Sequence, residues 1–163
     1  MKKPAKKIVK KTPVSKFQYQ YTSSYLKKVY SVESFTELLP KAVRKIEEYR
    51  KKHPFDAIAF TGTSGAAIAY PLSYMLKLPL ICVRKKNDGN HFYRDIEGCT
   101  NARSYLIVDD FIESGRTMDK IISAVKHTTP TAKPVGIFLY SDAAYARRED
   151  WKKIPIFRMM RDE

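Results

Sequence analysis

From residue 105 to residue 117 the chain reads Tyr-Leu-Ile-Val-Asp-Asp-Phe-Ile-Glu-Ser-Gly-Arg-Thr, and its polar residues are of the types that do chemistry. Four apolar residues deliver two adjacent carboxylates, Asp109 and Asp110, to the end of a buried strand. Such a pair can accept hydrogen bonds from vicinal sugar hydroxyls or hold a hydrated magnesium ion (Mg2+). Ser114, Gly115 and Thr117 then enter a helix, where free backbone N–H groups and two hydroxyls form a cradle for a phosphate. Phosphate at one end and diol-seeking acids at the other describe a site for a ribose 5-phosphate. An acidic helix cap with a glycine turn is the plainer reading. It leaves the paired acids at a strand end unexplained.

The elements that must position these residues follow from the hydrophobic pattern. Residues 57–60, 78–83, 105–108 and 135–140 are short apolar runs, and helical patterns at 34–52, 66–77 and 115–126 alternate with them. Uniformly apolar strands spaced by amphipathic helices predict an α/β fold, a Rossmann-like parallel sheet covered on both faces. Ligands in such sheets bind beyond the C-terminal strand ends. The two unusual loops, 61–65 and 109–117, fall at that edge. Ser34 and Glu37 have capping-box spacing for the first helix, with Pro40 either kinking or restarting it. Residues 17–22 alternate aromatic with polar, as in a half-buried strand, and 153–157 reads as a final short strand. Residues 84–103 are a polar stretch, and the loop 87–103 within it is too long and polar for a mere connection, so it is expected to act as a lid over the site.

The 163 residues suit one domain of ordinary size. A hydrophobic content of 44% excludes wholesale disorder. The formal charge of +14 invites a nucleic-acid reading, but it is unevenly spread. Nine lysines and no acid lie in residues 1–32, leaving 22 basic and 17 acidic residues beyond them. Residues 1–16 are thus expected to be a flexible Lys-rich arm, open to loose nucleic-acid or polyanion contact. Residues 17–163 would form the domain, with a core at about 34–141 and a small hood from 17–33 and 142–163. Two cysteines, Cys82 and Cys99, are too few for a disulfide framework or a zinc site. No apolar stretch approaches a membrane span and no signal peptide is evident, so a cytoplasmic protein without membrane contact is expected. No Gly-Lys-Thr phosphate loop and no GxGxxG fingerprint occurs, against an NTPase or a dinucleotide enzyme.

The stretch Val108-Asp109-Asp110-Phe111-Ile112-Glu113-Ser114-Gly115-Arg116-Thr117 resembles the fingerprint of the type I phosphoribosyltransferases: an apolar strand, two acids, three residues, then Ser or Thr, Gly, any residue and Thr. Two further segments resemble the family. Thr61-Gly62-Thr63-Ser64-Gly65 sits where its pyrophosphate loop lies, and Arg84-Lys85-Lys86 looks like the segment leading into its mobile catalytic loop, here about 87–103 with His91. The resemblance spans about residues 56–140. It implies 5-phosphoribosyl 1-pyrophosphate (PRPP), with Mg2+, as one substrate and a nucleobase as the other. Asp109, Asp110, Glu113, Ser114, Gly115, Arg116 and Thr117 would bind PRPP, and Asp109 and Asp110 would also face the metal. Residues 61–65 with Arg84, Lys85 and Lys86 would receive pyrophosphate, Arg84 and Lys85 acting in catalysis. A homodimer is expected.

Glu113 bears on the choice of base. In the 6-oxopurine branch of the family an acid at this position assists proton removal from the purine, and a carboxylate suits that task. That branch also carries a Lys near the end of the next strand, and Phe138-Leu139-Tyr140-Ser141-Asp142 has none. Tyr145 and Trp151, in the C-terminal part of the hood, are candidates to stack on the base. A second function class is a PRPP-sensing regulatory protein that binds nucleic acid through its basic surface. Retention of Thr63, Ser64, Arg84 and Lys85 favours the enzyme.

Overall fold

The computed structural model describes residues 20–21, 26–84, 95–141 and 149–159. In chain order the elements are α1 (Lys27–Tyr30), α2 (Val32–Lys52), β1 (Ala57–Thr61), α3 (Gly62–Leu76), β2 (Leu80–Val83), β3 (Ile96–Gly98), β4 (Ser104–Asp109), α4 (Arg116–Thr128), β5 (Lys133–Leu139), β6 (Asp150–Trp151) and β7 (Ile154–Arg158). The strands form one sheet in the order β3-β2-β1-β4-β5-β7-β6. The five inner strands are mutually parallel, whereas β3 and β6 pair antiparallel at the edges.

Alternation along β1 divides the core into two layers. Ala57 and Ala59 face Ile107, Ile137 and the α4 residues Met118, Ile121 and Val125. Ile58 and Phe60 face Leu106, Val108, Phe138 and the residues Ile46, Ile68 and Leu72 of α2 and α3. Helices therefore cover both faces, and the apolar content of β1, β4 and β5 follows from burial on both sides. Packing of α2 is fixed by Tyr49, whose ring stacks on Phe157 at 4.1 Å and whose hydroxyl donates to the Val135 carbonyl at 2.7 Å. Gly136 leaves the space that the Tyr49 ring fills.

The α/β expectation holds, with local corrections. Ser31, not Ser34, caps α2; its hydroxyl accepts the Ser34 N–H at 3.3 Å, so the helix starts earlier than the capping-box spacing suggests. Pro40 lies within continuous α2 and does not restart it. Residues 62–65 form the first turn of α3, where an open loop was expected. The expected lid contains β3, which pairs with β2 through Ile81, Cys82 and Val83; its polar sequence hides an edge strand. The short strand β7 joins the main sheet beside β5 although it falls in the segment assigned to the hood. Residues 1–19, 22–25, 85–94, 142–148 and 160–163, which carry the arm, most of the expected strand at 17–22, about half of the expected lid and part of the hood, lie outside the described residues.

Candidate functional site

The chain moves from β1 to β2 on one side and later crosses to β4 on the other, so the strand order reverses between β1 and β4. Such a reversal opens a crevice beyond the carboxyl ends of the strands. A cleft of about 210 Å³ lies there, and both helices that follow these strands begin at it. Thr61 and Ser64 line it from the β1–α3 junction, Asp109 and Asp110 from the end of β4, and Glu113, Ser114, Gly115 and Thr117 from the entry to α4. Two helix N-termini, each with first-turn N–H groups lacking intrahelical acceptors, thus meet in one cleft. Their dipoles make it favourable for anions.

Both carboxylates are buried, Asp109 at 4% exposure and Asp110 at 6%. The Asp110 N–H donates to Asp109 Oδ1 at 3.0 Å, and the Phe111 N–H donates to Asp110 Oδ1 at 2.9 Å. The backbone carbonyls of the pair accept the Tyr140 and Ser141 N–H groups, which tie them to the end of β5. Ser64 connects the acids to α3: its hydroxyl donates to Asp109 Oδ1 at 3.0 Å, and its carbonyl accepts the Tyr140 hydroxyl at 2.9 Å. Burial, then the neighbouring Asp110 charge, pushes the Asp109 carboxyl up to about 7, against the stabilising Ser64 and Asp110 donors.

At the opposite wall, Gly115 caps α4 in the left-handed region, φ 80°. This turn brings the Ser114 hydroxyl to the Arg116 N–H at 3.5 Å and leaves Glu113, Ser114 and Thr117 exposed in the cleft. A phosphate seated here would meet backbone amides and hydroxyls.

Hard oxygen donors suit Mg2+, and the two side chains are adjacent buried carboxylates, Asp109 being raised first by burial and then by the Asp110 charge. Among the described residues no group of three or more His, Cys, Asp or Glu could hold a metal by itself. The pair therefore fits an ion that completes its shell with water and with oxygens of a phosphorylated ligand. When bound, Mg2+ would supply charge neutralisation beside a phosphate-bearing ligand.

Not all expected residues meet in the cleft. Gly62, Thr63 and Arg116 lie at the helix starts but are not part of its lining. Gly65 is buried, and a β-carbon there would stand 3.1 Å from Phe60 Cβ and 3.3 Å from the Val108 carbonyl; its small size serves the packing of α3 on the sheet. Arg84 continues from β2 at the same sheet edge, outside the lining, with its guanidinium 3.6 Å from Glu97 of β3. Lys85, Lys86, His91 and Tyr145 lie outside the described residues. The Trp151 ring is buried against Gly115, behind the 113–117 loop, and does not line the cleft. Tyr140 escaped the sequence reading. Its position one residue past an apolar strand end gives no hint that its hydroxyl holds the first turn of α3.

The architecture and cleft together define a Rossmann-like α/β domain with a buried acid pair and two helix N-termini at one cleft. No protein-family model matches the sequence. It is 31% identical over 110 residues to the orotate phosphoribosyltransferase of Pyrobaculum aerophilum, a match covering 67% of this chain and 57% of that protein. The chain thus spans less than two thirds of this curated relative. Among solved structures, Leishmania donovani UMP synthase superposes with a TM-score of 0.61 at 19% identity, over 82% of this chain and 28% of that one. Adenine phosphoribosyltransferase from Thermoanaerobacter pseudethanolicus gives 0.58 at 16% identity, over 80% of this chain and 81% of that one. The structural likenesses establish the fold. With the sequence match and the 109–117 motif, the chain belongs to the type I phosphoribosyltransferase family.

Proposed function

We propose that this protein is a Mg2+-dependent phosphoribosyltransferase, moving the 5-phosphoribosyl group of PRPP onto the ring nitrogen of a nucleobase. The observation that carries the reading is the meeting of the phosphate cradle at Ser114–Gly115–Thr117 with the buried acids Asp109 and Asp110 in one cleft. The 5-phosphate would rest on the 113–117 loop, and the ribose hydroxyls would donate to the two carboxylates. The bond from C1 to the pyrophosphate oxygen breaks with its electron pair leaving on pyrophosphate, and a bond from C1 to the base nitrogen forms. The leaving charge would fall toward the α3 N-terminus beside Ser64, and the sequence run Arg84, Lys85 and Lys86 is the proposed source of the positive charge that stabilises it. Glu113 would take the proton of the base, since an exposed carboxylate at the cleft mouth is a suitable acceptor for an acidic ring N–H.

On Glu113 the preferred base is a purine with a 6-oxo group. The match to an orotate phosphoribosyltransferase favours a second reading, orotate as acceptor. Incubation with PRPP, Mg2+ and hypoxanthine, guanine, xanthine, adenine or orotate in turn, following pyrophosphate release, decides between them. Turnover restricted to 6-oxopurines supports the Glu113 assignment, and turnover with orotate alone overturns it. PRPP binding without turnover on any base would replace the enzyme with a PRPP-sensing regulator.

A further inference from the structure

The hairpin β6–β7 reaches the phosphate loop at one point. The Trp151 indole occupies the space that a β-carbon on Gly115 would need, so the ring lies directly against the loop backbone. Its Nε1–H donates to Asp119 Oδ1 at 2.9 Å, in the first turn of α4. Lys152 Nζ meets the same oxygen at 2.7 Å and neutralises an acid that would otherwise oppose an anion at this helix end. Both contacts hold the Asp119 carboxyl below the usual range.

The turn that delivers these residues breaks a backbone preference. Trp151 pairs with Ile154, so Lys152 and Lys153 form a two-residue hairpin loop, with φ of 51° and 71°. Consecutive left-handed residues are normally Asn-Gly, because a β-carbon is disfavoured there. Disfavoured backbone persists where surrounding contacts over-determine it, and it gathers at functional sites. Here those contacts are the ones that press Trp151 onto Gly115 and aim Lys152 at Asp119.

We propose that the β6–β7 hairpin is a clamp on the phosphate loop, with Trp151 the positioning residue that holds Gly115 and the α4 N-terminus in the shape that receives a phosphate monoester. The proposal rests on the reading of this loop as the seat of the 5-phosphate. Trp151 touches the loop from behind and acts through Gly115.

Trp151 is the only tryptophan of the chain, so its emission reports on the loop without a label. Ribose 5-phosphate, titrated into the full-length protein, is expected to give a saturable change in emission at the affinity that calorimetry measures. Trp151→Ala is expected to weaken that affinity at least tenfold, and Trp151→Phe, which restores a ring against Gly115, to return it to within threefold. Binding by calorimetry with no change in emission overturns the clamp, and needs no variant to be folded. Equal affinity in the parent and a folded Trp151→Ala also overturns the clamp while leaving the 5-phosphate seat intact. Absence of ribose 5-phosphate binding to the parent overturns the seat, and the clamp with it.

Discussion

Replacing Asp109 by Asn tests the electrostatics of the cleft without any substrate. In the folded protein this carboxyl sits at about 7, raised by burial and by Asp110. In the unfolded chain it returns to near 3.8. Between those values the native state keeps a proton that the unfolded chain has released, so stability falls as pH rises from about 4 to about 7 and is flat for this group above that. Moving a carboxyl from 3.8 to about 7 corresponds to roughly 4 kcal/mol between the two ends of the window, at about 1.36 kcal/mol per pH unit. Asn cannot ionise, so the variant lacks this slope while keeping nearly the same size and the acceptor oxygen that Ser64 and the Asp110 N–H use. Comparing variant with parent cancels the other groups, including Asp56 and Asp119, whose depressed values act at lower pH.

The assay is urea unfolding at pH 4.5 and pH 8.0 in metal-free buffer, read as midpoints at fixed m. Asp109→Asn is expected to gain about 3 kcal/mol on the parent between the two conditions, since pH 4.5 already lies above the unfolded value. A difference that stays constant within about 1 kcal/mol would refute the buried, proton-holding carboxyl. Saturating Mg2+ with PRPP should shrink the gap at pH 8.0, because the ionised parent then gains the counter-charge its pair lacks.

Gly115→Ala forces a β-carbon into the left-handed region and into the Trp151 ring; a loss of about 2–4 kcal/mol in urea unfolding is expected, with weaker PRPP binding in calorimetry. Asp110→Asn should weaken PRPP binding at least tenfold, whereas Glu113→Ala should slow turnover about 10²-fold with PRPP affinity near that of the parent; equal loss of both properties in the two variants removes Glu113 as general base. Gly136→Ala places a β-carbon 2.6 Å from the Tyr49 hydroxyl oxygen and should cost about 1–3 kcal/mol of stability with KM for PRPP unchanged. Deleting residues 2–16 should leave kcat and KM unchanged if the arm is an accessory, and a fall in turnover assigns it to the site.

The inner strands were legible because each is buried on both faces, which removes polar alternation and leaves short apolar blocks such as Ala57–Thr61. The acid pair and the 113–117 loop were legible for a similar reason: a polar cluster at a buried strand end has no packing role. Edge elements were not. Ile96–Gly98 buries only Ile96 and carries Glu97, so nothing in its pattern separates it from loop. At 62–65, glycine and hydroxyl residues suggest an open loop, but the same residues serve as the first turn of a helix whose N–H groups face the cleft. Trp151 was visible as an outlier in composition, either a packing residue of the hood or a stacking candidate, and its burial fits the packing reading. Only the three-dimensional fold brings a residue 36 positions away onto Gly115.

The departures from local preference fall in one region. Asp109 is a buried acid beside a second acid, Gly115 leaves no room for a side chain, and Lys152 and Lys153 hold a left-handed turn. Elsewhere the pattern is ordinary: among the described residues no buried side-chain nitrogen or oxygen lacks a hydrogen-bond partner. A fold selected for stability alone would place Asn-Gly in the hairpin and an apolar residue at 109. Both changes would remove groups that face or shape the cleft, the acid that a cation and ribose hydroxyls would use and the lysine that offsets Asp119. Local rules broken together at one cleft, with consistency kept around it, are the pattern expected where function and not folding sets the choice of residue. The same logic orders the +14 charge. The arm carries a dense run of lysines, while the domain keeps Arg84 and Lys152 in ion pairs beside β2 and α4. These two charges of the domain are placed by partners, whereas those of residues 1–16 are spread along the sequence.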